Sequence, residues 1–406
     1  MKILYHHRTR GREVEGVHIR GVVSGLRELG HEVRVISFPG ANPEAEGEPA
    51  PAGAAAPAAG TSQATSQGAA RSRNGGLATL VTRLPGVVFE LAEIAYNLVT
   101  WWRMGRQIRA YRPDFIYERY SLFLFVTVWM ARRHGVPIVL EMNDSAVVQR
   151  VRPLHLQALA TRIERWCLTH ASGLVFISTR FRDMLAAQHG PLPPTVISPN
   201  AVDMQFDPAR FDRDALRRRA GLDGRVVCGH VGAFARWHGV PGFVRAIIDR
   251  LEAQPDLTLL LVGDGADLPA VRAEVEARGL SDRIRMPGRV PHHQIPEWIA
   301  CMDYAVLPDS NEYGSPMKLF ELMAMGVAVV APDYDPVSEV IIDGHSGWLF
   351  PRKRLEACVE RVLSLVDARE ERERVGAAAR DYIARERRWR HNAEQLMSLV
   401  PVAEAS

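Results

Sequence analysis

The feature that most constrains the fold is an alternation of short apolar runs with helical patterns, which occurs twice along the chain. The first series of runs is MKILYHH, HEVRVIS, DFIYERY, VPIVLEMN, GLVFIS and PTVISPN. The second is RVVCGHVG, LTLLLVGDG, RIRMPGRV, YAVLP, VAVVAP and GWLF. Apolar runs that alternate with helices are typical of parallel strands in βαβ units. The sequence therefore predicts an α/β protein with two doubly wound domains in tandem and a cleft between them.

Composition places the chain among folded globular proteins. The 406 residues are 47% hydrophobic and 24% charged, and 50 Lys and Arg against 47 Asp and Glu leave a formal charge of only +3. This balance gives no reason to expect a nucleic-acid partner. Four scattered cysteines without a CxxC motif predict reduced thiols, and the amino terminus lacks the apolar core of an export signal. We therefore expect a cytoplasmic location.

The polar linker after PNAVDMQFDP divides the chain. The predicted domains are residues 1–205 and 206–380, followed by a crossing helix and tail at 381–406. Residues 39–76 are rich in Ala, Gly, Pro, Ser and Gln, and such a composition cannot bury enough apolar surface to become ordered. We predict that this segment is a disordered insertion in the first domain.

Residues 78–110 have helical periodicity with charged interruptions at Glu90, Glu93, Arg103 and Arg106. These charges exclude a membrane-spanning helix. Trp101 and Trp102 beside arginines suit a lipid headgroup boundary, so peripheral membrane contact stays open. The favoured interpretation is a core helix with one solvated face.

The stretch NEYGSPMKLFELMAMG, residues 311–326, follows the strand YAVLP. Ser315 fits a helix N-cap, Pro316 the first helical position and Gly326 a left-handed stop. The free N–H groups at such a helix start form an anion site, and Gly314 lets a ligand approach the backbone. We expect this junction to bind a charged ligand at the carboxyl end of the sheet.

Lys318 and Glu321 lie three residues apart and therefore on one helix face. A phosphate beside the ammonium and a sugar diol beside the carboxylate is the simplest ligand for this pair. A nucleotide sugar carries both groups. The alternative is a solvent-exposed ion pair, which stabilises a helix by only about 0.2–0.5 kcal/mol.

Five motifs occur in a fixed order: GHEV, SPNAVDMQF, LLVGDG with PGRV, SPMKLFELMAMGVAVVAP and SEVIIDGHSGWLF. Their order and spacing resemble the retaining glycosyltransferases of family 4. The resemblance implies the GT-B fold, in which two Rossmann-like domains face each other across a cleft and a C-terminal helix crosses back to the first. It also implies sugar transfer from a nucleoside diphosphate donor with retained anomeric configuration and no obligatory metal or cofactor.

The resemblance assigns donor binding to the second domain. Glu321 matches the glutamate that binds the ribose hydroxyls, and Lys318 would neutralise the leaving phosphate. The pyrophosphate or the sugar would meet the backbone amides of the stretch Gly314, Ser315, Pro316 and Met317, in which Pro316 has no N–H. The family's first glutamate would fall at Tyr313, with Glu312 adjacent. Either Glu312 faces the sugar through a shifted turn, or Tyr313 supplies backbone and hydroxyl contacts.

Two further loops complete the expected donor site. After the strand that ends near Gly232, many relatives carry an Arg and a Lys where this chain has Ala233 and His238. Arg236 is the remaining cation and is assigned to the diphosphate, with a solvent-facing role as the alternative. Arg289 and Val290 of PGRV are the candidates for contact with the base.

The resemblance assigns acceptor binding mostly to the first domain. The candidate acceptor or cleft residues lie in the first loop and helix or at strand carboxyl ends: His6, His7, Arg8, Gly16, His18, Glu118, Arg119, Asn143 and Asp144. Gly16 resembles the glycine that approaches the donor phosphates, and His7 and His18 could contact the acceptor or the donor sugar, with a purely structural histidine as the alternative. The helix is predicted to begin near Val17, with His18 at its start. The histidine that many relatives have near Asn143 is absent, which suits a route in which the leaving phosphate accepts the acceptor's proton.

The leading hypothesis is a glycosyltransferase that extends a glycan or glycolipid in bacterial cell-surface synthesis, on the cytoplasmic side of a membrane. The alternatives are a non-catalytic sugar-nucleotide-binding subunit, a GT-B epimerase, or a membrane- or nucleic-acid-binding scaffold that uses residues 71–112. A dehydrogenase is disfavoured because GDGADL lacks a complete GxGxxG motif. No spacing predicts a metal cluster.

Overall fold

The computed structural model describes residues 1–9, 13–38, 42–43, 86–148, 153–234 and 236–400, except for the side chains of residues 13, 14 and 236. The described residues divide into two compact units. Unit 1 runs to Pro199 and resumes at Trp389, and unit 2 is Asn200–Arg388. The boundary thus lies before residue 205, and the segment from residue 381 is shared between both units. The insertion predicted at 39–76 lies outside the described residues, apart from 42 and 43.

Unit 1 contains one parallel six-stranded sheet in the order β2-β1-β3-β4-β5-β6. Its strands are β1 Lys2–His7, β2 Glu32–Ser37, β3 Phe115–Arg119, β4 Ile138–Met142, β5 Gly173–Phe176 and β6 Thr195–Ile197. Its helices are α1 Glu13–Glu28, α2 Gly86–Tyr111, α3 Val126–His134, α4 Gln157–His170, α5 Thr179–His189 and, at the end of the chain, α14 Trp389–Met397.

Unit 2 contains a second parallel six-stranded sheet in the order β12-β11-β10-β7-β8-β9. Its strands are β7 Val226–Val231, β8 Leu257–Val262, β9 Ile284–Gly288, β10 Tyr304–Val306, β11 Val329–Pro332 and β12 Trp348–Phe350. Its α-helices are α6 Arg213–Ala220, α7 Val240–Ile248, α8 Leu268–Ala277, α9 Ile295–Ala300, α10 Met317–Ala324, α11 Asp335–Ser338, α12 Leu355–Ser364 and α13 Arg369–Glu386. Short 3-10 helices occur at Pro208–Arg210, Arg236–His238 and His292–Gln294.

All twelve predicted strands are confirmed, and their order locates the places where ligands bind. In unit 1 the strands β1 and β3 are neighbours. The chain continues from β1 to β2 on one side of this pair and from β3 through β4 and β5 to β6 on the other. In unit 2 the same reversal occurs between β7 and β10. Doubly wound sheets bind ligands beyond the carboxyl ends of the strands at such switch points. Each unit therefore has one expected site.

The last helix, α14, packs on α1 within unit 1. A Cβ at Gly21 would lie 2.1 Å from the ring of Trp389, and a Cβ at Gly25 would lie 2.3 Å from its carbonyl oxygen. Asn392 of α14 donates a hydrogen bond to the carbonyl of Pro199, at 2.7 Å. Two glycines one turn apart thus allow a tryptophan to lie directly against the backbone of α1.

One prediction about helices was wrong. Helix α1 begins at Glu13 rather than near Val17, because the helix extends one turn before the apolar pattern from which it was predicted. Helix α2 has one buried and one solvated face, as predicted, but Glu90 and Glu93 lie on the buried face and both tryptophans on the solvated one. None of the described helices combines the length and hydrophobicity that crossing a membrane requires. All four cysteines are free and buried, as their apolar surroundings predict.

Candidate functional site

Closely packed glycine loops form the base of the switch point in unit 2. The loops that follow β7 and β8 touch backbone to backbone, since a Cβ at Gly263 would lie 1.8 Å from the carbonyl oxygen of Gly232. A Cβ at Gly265 would lie 2.6 Å from the carbonyl oxygen of Phe234. Between these glycines, the side chain of Asp264 accepts a hydrogen bond from the amide of Gly265. Asp264 therefore acts as a turn residue.

The ammonium group of Lys318 lies above this base. Its Nζ donates to Nδ1 of His238 at 2.9 Å. A Cβ at Gly232 would lie 2.6 Å from this Nζ and 3.5 Å from Nε2 of His230. Gly232 also has φ of 141°, which side chains rarely adopt. The glycine thus provides the space in which Lys318 meets the two histidines.

Burial leaves this cluster with little positive charge. Desolvation lowers the pKa of Lys318 to about 7, although Glu321 opposes the shift. Burial first, and the charge of Lys318 second, lower the pKa of His230 to about 3 and that of His238 to about 2. Both imidazoles are therefore neutral, and Nδ1 of His230 donates to the carbonyl of Val306 at 3.0 Å. An anion bound here would favour the charged form of the lysine.

Glu321 is buried and held by a histidine that belongs to none of the sequence motifs. Nε2 of His292 donates to Oε1 of Glu321 at 2.7 Å. The imidazole lies 5.6 Å from the ring of Phe206 and its Nδ1 is 3.3 Å from the side-chain nitrogen of Gln205. His292 lies two residues after the end of PGRV, so its position after β9 was the available signal. The contact fixes the orientation of the Glu321 carboxylate.

The loop before α10 is shaped by Asn311. Its Oδ1 accepts hydrogen bonds from the amides of Tyr313 and Gly314. A Cβ at Gly314 would lie 2.6 Å from this oxygen. A side chain at position 314 would therefore displace the Asn311 amide group that holds the turn, whether or not a ligand is bound.

The predicted N-cap was wrong. Helix α10 begins at Met317 with Pro316 in the N-cap position, and no side chain caps it. Ser315 is buried, and its Oγ accepts a hydrogen bond from the amide of Asn200 at 3.0 Å. Ser315 thus fastens the start of unit 2 to this loop. The predicted stop at Gly326 is confirmed by its φ of 73°.

A buried pair marks the switch point of unit 1. Nδ1 of His6 donates to Oε2 of Glu118 at 2.6 Å, and neither side chain is exposed. The two residues face each other in the register of β1 and β3. Next to them, burial and the neighbouring His6 lower the pKa of His7 to about 3.

Glu141 is the centre of a larger buried network. Its Oε1 lies 2.8 Å from Nε2 of His18 and 2.7 Å from Nη1 of Arg119, and it also accepts from Asn143. Tyr117 donates to the other oxygen at 2.9 Å. Burial alone would raise the pKa of Glu141, but His18 and Arg119 together lower it well below its usual range. Glu141 does not stand out in the sequence because it lies inside the apolar run VPIVLEMN.

Both halves of the chain match a known protein family. Residues 15–201 match the model of the glycosyl transferase 4-like domain, and residues 212–382 match that of glycosyl transferases group 1. The chain belongs to the group 1 glycosyltransferases. The unit 1 match ends close to Pro199, and the unit 2 match contains the entire Lys318 cluster.

Individual relatives agree with this assignment. The glycosyltransferase is 29% identical to the alpha-D-kanosaminyltransferase of Streptomyces kanamyceticus over 63% of this chain and 68% of the relative. It is 31% identical to the lipopolysaccharide core biosynthesis mannosyltransferase LpcC of Rhizobium leguminosarum bv. viciae over 54% and 62% of the two chains. The crystal structure of Anabaena HepE in complex with UDP-glucose superposes with a TM-score of 0.68 at 17% identity, covering 98% of each chain. This structural likeness establishes the GT-B fold.

The structure of this group 1 glycosyltransferase brings some of the predicted donor residues together. Lys318 and Gly232 are in contact, whereas Glu312 is exposed and Tyr313 is half-buried. Arg289 is exposed after β9, and Val290 packs against the core of unit 2. Arg236 begins a 3-10 helix, but its side chain lies outside the described part of the structure. The roles of these residues remain predictions.

The predicted acceptor residues form two groups in the structure. His18, Arg119 and Asn143 share Glu141, and His6 pairs with Glu118. Of the remaining residues, Gly16 is buried in α1, the Arg8 guanidinium lies 5.0 Å from the ring of Tyr96, and Asp144 accepts from the amide of Ser145. Within the described ranges, no three His, Cys, Asp or Glu side chains are arranged to hold a metal ion.

Proposed function

We propose that this protein is a retaining glycosyltransferase that moves a sugar from a UDP- or GDP-sugar to a glycan, lipid-linked or small-molecule acceptor. The observation that carries the proposal is the position of Lys318. Its ammonium lies against Gly232 at the switch point of unit 2, and Glu321 follows one turn later on the same helix. A diphosphate beside the lysine and a ribose diol beside the glutamate fit this spacing.

The proposed chemistry is electrostatic. As the glycosidic bond breaks, negative charge develops on the leaving phosphate, and Lys318 stabilises it together with Arg236 and the amides of the loop at 314–317. Removal of one such donor typically costs about 3–4 kcal/mol in the transition state. Glu321 holds the ribose and thereby fixes the position of the donor. His292 orients the carboxylate for this task.

Relatives support the class of donor. A kanosaminyltransferase and a lipopolysaccharide mannosyltransferase transfer different sugars, and HepE was crystallised with UDP-glucose. We extend this to a nucleoside diphosphate sugar as the donor. Unit 2 holds it, and Arg289 and Val290 contact its nucleobase. Unit 1 holds the acceptor through the residues around His6 and Glu141. Cell-surface polysaccharide or glycoconjugate synthesis in the cytoplasm is the proposed context.

The same proposal includes retention of the anomeric configuration and a reaction that needs no metal ion. The leaving phosphate accepts the proton of the acceptor hydroxyl on the same face of the sugar, so no separate side-chain base is required. Lys318 and the helix start supply the positive field that a metal provides in other transferases. Product anomers identified by NMR, and turnover in the presence of a chelator, test these two points.

The decisive experiment is a panel of UDP- and GDP-sugars scored by release of nucleoside diphosphate with glycan and lipid-linked acceptors. Lys318→Met should abolish release, and Glu321→Gln should reduce it strongly. Lys353→Met is the matched control, because Lys353 is an exposed lysine of the same unit. Full activity in Lys318→Met would refute the site, and no release with any donor would refute the enzyme.

A second candidate is a non-catalytic sugar-nucleotide-binding subunit. It is favoured by Tyr313, which stands where the family has a glutamate, and by the exposure of the neighbouring Glu312. This candidate predicts calorimetric binding of a nucleotide sugar without turnover. A GT-B epimerase would instead convert the donor to an isomeric sugar nucleotide, which chromatography of the products would detect.

A further inference from the structure

The first four turns of helix α2 in unit 1 have their polar and apolar faces reversed. The buried residues of its first four turns are polar: Glu90, Glu93, Asn97 and Thr100. Its exposed large side chains are apolar: Val87, Val88, Leu91, Leu98, Val99, Trp101 and Trp102. A surface helix normally turns its apolar stripe toward the core.

The buried polar side chains have a structural task. Glu90 accepts hydrogen bonds from the amides of His155 at 2.8 Å and Leu156 at 2.7 Å, just before α4. Asn97 accepts from the amides of Phe125 and Val126, both at 3.1 Å, at the start of α3. These amides lack partners within their own helices. The inward face of α2 therefore satisfies two helix starts, which explains its polarity but not that of the outward face.

The outward face forms one stripe. Leu91, Leu98 and Trp102 are four or seven residues apart, so they lie on the same side of the helix. Leu98 is 73% exposed, Trp102 55% and Leu91 52%. Single exposed apolar residues are common, whereas a contiguous set of this size marks an interaction surface.

The charges on α2 indicate what kind of partner its outward face binds. Both acidic residues of the helix are buried, while Arg103, Arg106 and Arg109 are exposed. The guanidinium of Arg106 lies 5.0 Å from the ring of Trp102. Indole rings next to arginines match the boundary between the acyl chains and the phosphates of a bilayer. The exposed charge of the helix is therefore complementary to an anionic headgroup layer.

We propose that the outward face of α2, defined as Val87, Val88, Leu91, Leu98, Val99, Trp101 and Trp102, docks on an anionic lipid bilayer. The helix lies in the headgroup plane with its apolar stripe toward the acyl chains and its arginines at the phosphates. The proposal does not depend on the transferase activity, because α2 contains none of the proposed donor or acceptor residues.

The test is co-sedimentation of the full chain with vesicles of phosphatidylcholine alone or mixed with phosphatidylglycerol. We expect binding to the mixed vesicles that weakens with added salt. Leu98→Gln with Trp102→Gln should weaken partitioning at least tenfold, since both apolar side chains lose their place in the bilayer. Arg106→Gln with Arg109→Gln should weaken it roughly thirtyfold, from the attraction expected for each arginine near an anionic surface.

Matched control variants distinguish loss of the outward face of α2 from the general effect of removing exposed apolar or charged side chains. Met204→Gln with Ile342→Gln removes two equally exposed apolar residues of unit 2, and Arg218→Gln with Arg250→Gln removes two exposed arginines. These variants should bind vesicles as the unchanged protein does. Circular dichroism melts of all variants should agree, since every substituted residue is exposed.

Three results would overturn the proposal. The first is absence of binding to the mixed vesicles, or equal binding by Leu98→Gln with Trp102→Gln. The second is a lipid-free dimer in analytical ultracentrifugation that this double variant abolishes, because the face would then join two copies. The third is binding that appears only after deletion of residues 44–76, because that segment would then cover the face. Nucleotide release with a water-soluble acceptor reports on the proposed function separately and should not change in the double variant.

Discussion

Nζ of Lys318 lies 2.9 Å from Nδ1 of His238, and burial lowers the pKa of this lysine to about 7. The resemblance to family 4 predicts a lysine at the position of His238, whereas here burial and Lys318 keep the imidazole neutral. The part of the positive charge that Lys318 offers to a bound phosphate therefore titrates near neutral pH.

We predict that affinity for UDP falls as pH rises above about 7. A bound diphosphate raises the pKa of Lys318, so binding takes up a proton wherever the free protein has lost it, and the affinity falls by up to about tenfold per pH unit. Calorimetry from about pH 6 to about pH 9 measures this dependence. Lys318→Arg, which stays charged, should give a flatter profile. A steep profile that persists in Lys318→Arg would contradict the prediction.

Glu321→Gln is expected to weaken UDP binding through the ribose. A hydrogen bond to a charged group contributes about 1.5–3 kcal/mol, so the loss should be roughly tenfold to a hundredfold. The same substitution should hardly affect 2′,3′-dideoxy-UDP, which lacks the diol. His292→Ala should show the same selectivity with a smaller effect, because the carboxylate remains but loses its orienting donor. An equal loss for both nucleotides would place Glu321 elsewhere in the site.

Glu141→Gln should destabilise the protein by about 3–5 kcal/mol, because it leaves the buried Arg119 without its counter-charge. Urea unfolding followed by circular dichroism measures the change. Glu28→Gln is the control, since Glu28 is in an exposed pair with Arg390 that contributes about 0–1 kcal/mol. The lowered pKa of Glu141 also means that its contribution is present above the unfolded-state value of 4.5 and is lost as pH falls below it. Equal stability of the two variants would show that the network relaxes around the amide.

Gly376→Ala should destabilise unit 2 although alanine is the better helix former. A Cβ at Gly376 of α13 would lie 2.1 Å from the carbonyl oxygen of Gly326, just after α10. Gly242→Ala is the matched control, because its Cβ would make an ordinary contact with Leu355 at 3.4 Å. We expect a lower melting temperature for Gly376→Ala and an equal or higher one for Gly242→Ala. Similar melting temperatures would mean that α13 shifts freely.

The strand pattern was readable from the sequence because buried parallel strands are short, apolar and bounded by loops. Helix faces were harder to predict. In α2 the inward side chains Glu90 and Asn97 accept hydrogen bonds from amides at the starts of two other helices. The periodicity of α2 itself does not show that those amides need acceptors. Ser315 fits an N-cap by spacing, but the nearby amide of Asn200 takes its hydroxyl.

Some residues of the candidate site could likewise be predicted from the sequence, and others could not. Lys318 and Glu321 stand out because helical spacing alone puts them on one face. His292 and Glu141 do not, since each acquires its role from a residue on a different element of its unit. Long-range partners of this kind follow from the fold and not from local pattern.

The contact between Trp389 and Gly21 has a consequence for biosynthesis. Because unit 2 occupies Asn200–Arg388, it is an insertion within the chain of unit 1, and Trp389 leaves the ribosome only after all of unit 2 has been translated. Until then, the groove over Gly21 and Gly25 has no tryptophan to fill it. Unit 2 is continuous and can complete its own core first. The domain that begins the chain is thus the last to finish folding, and a nascent chain arrested before residue 389 would expose the unfilled groove on α1.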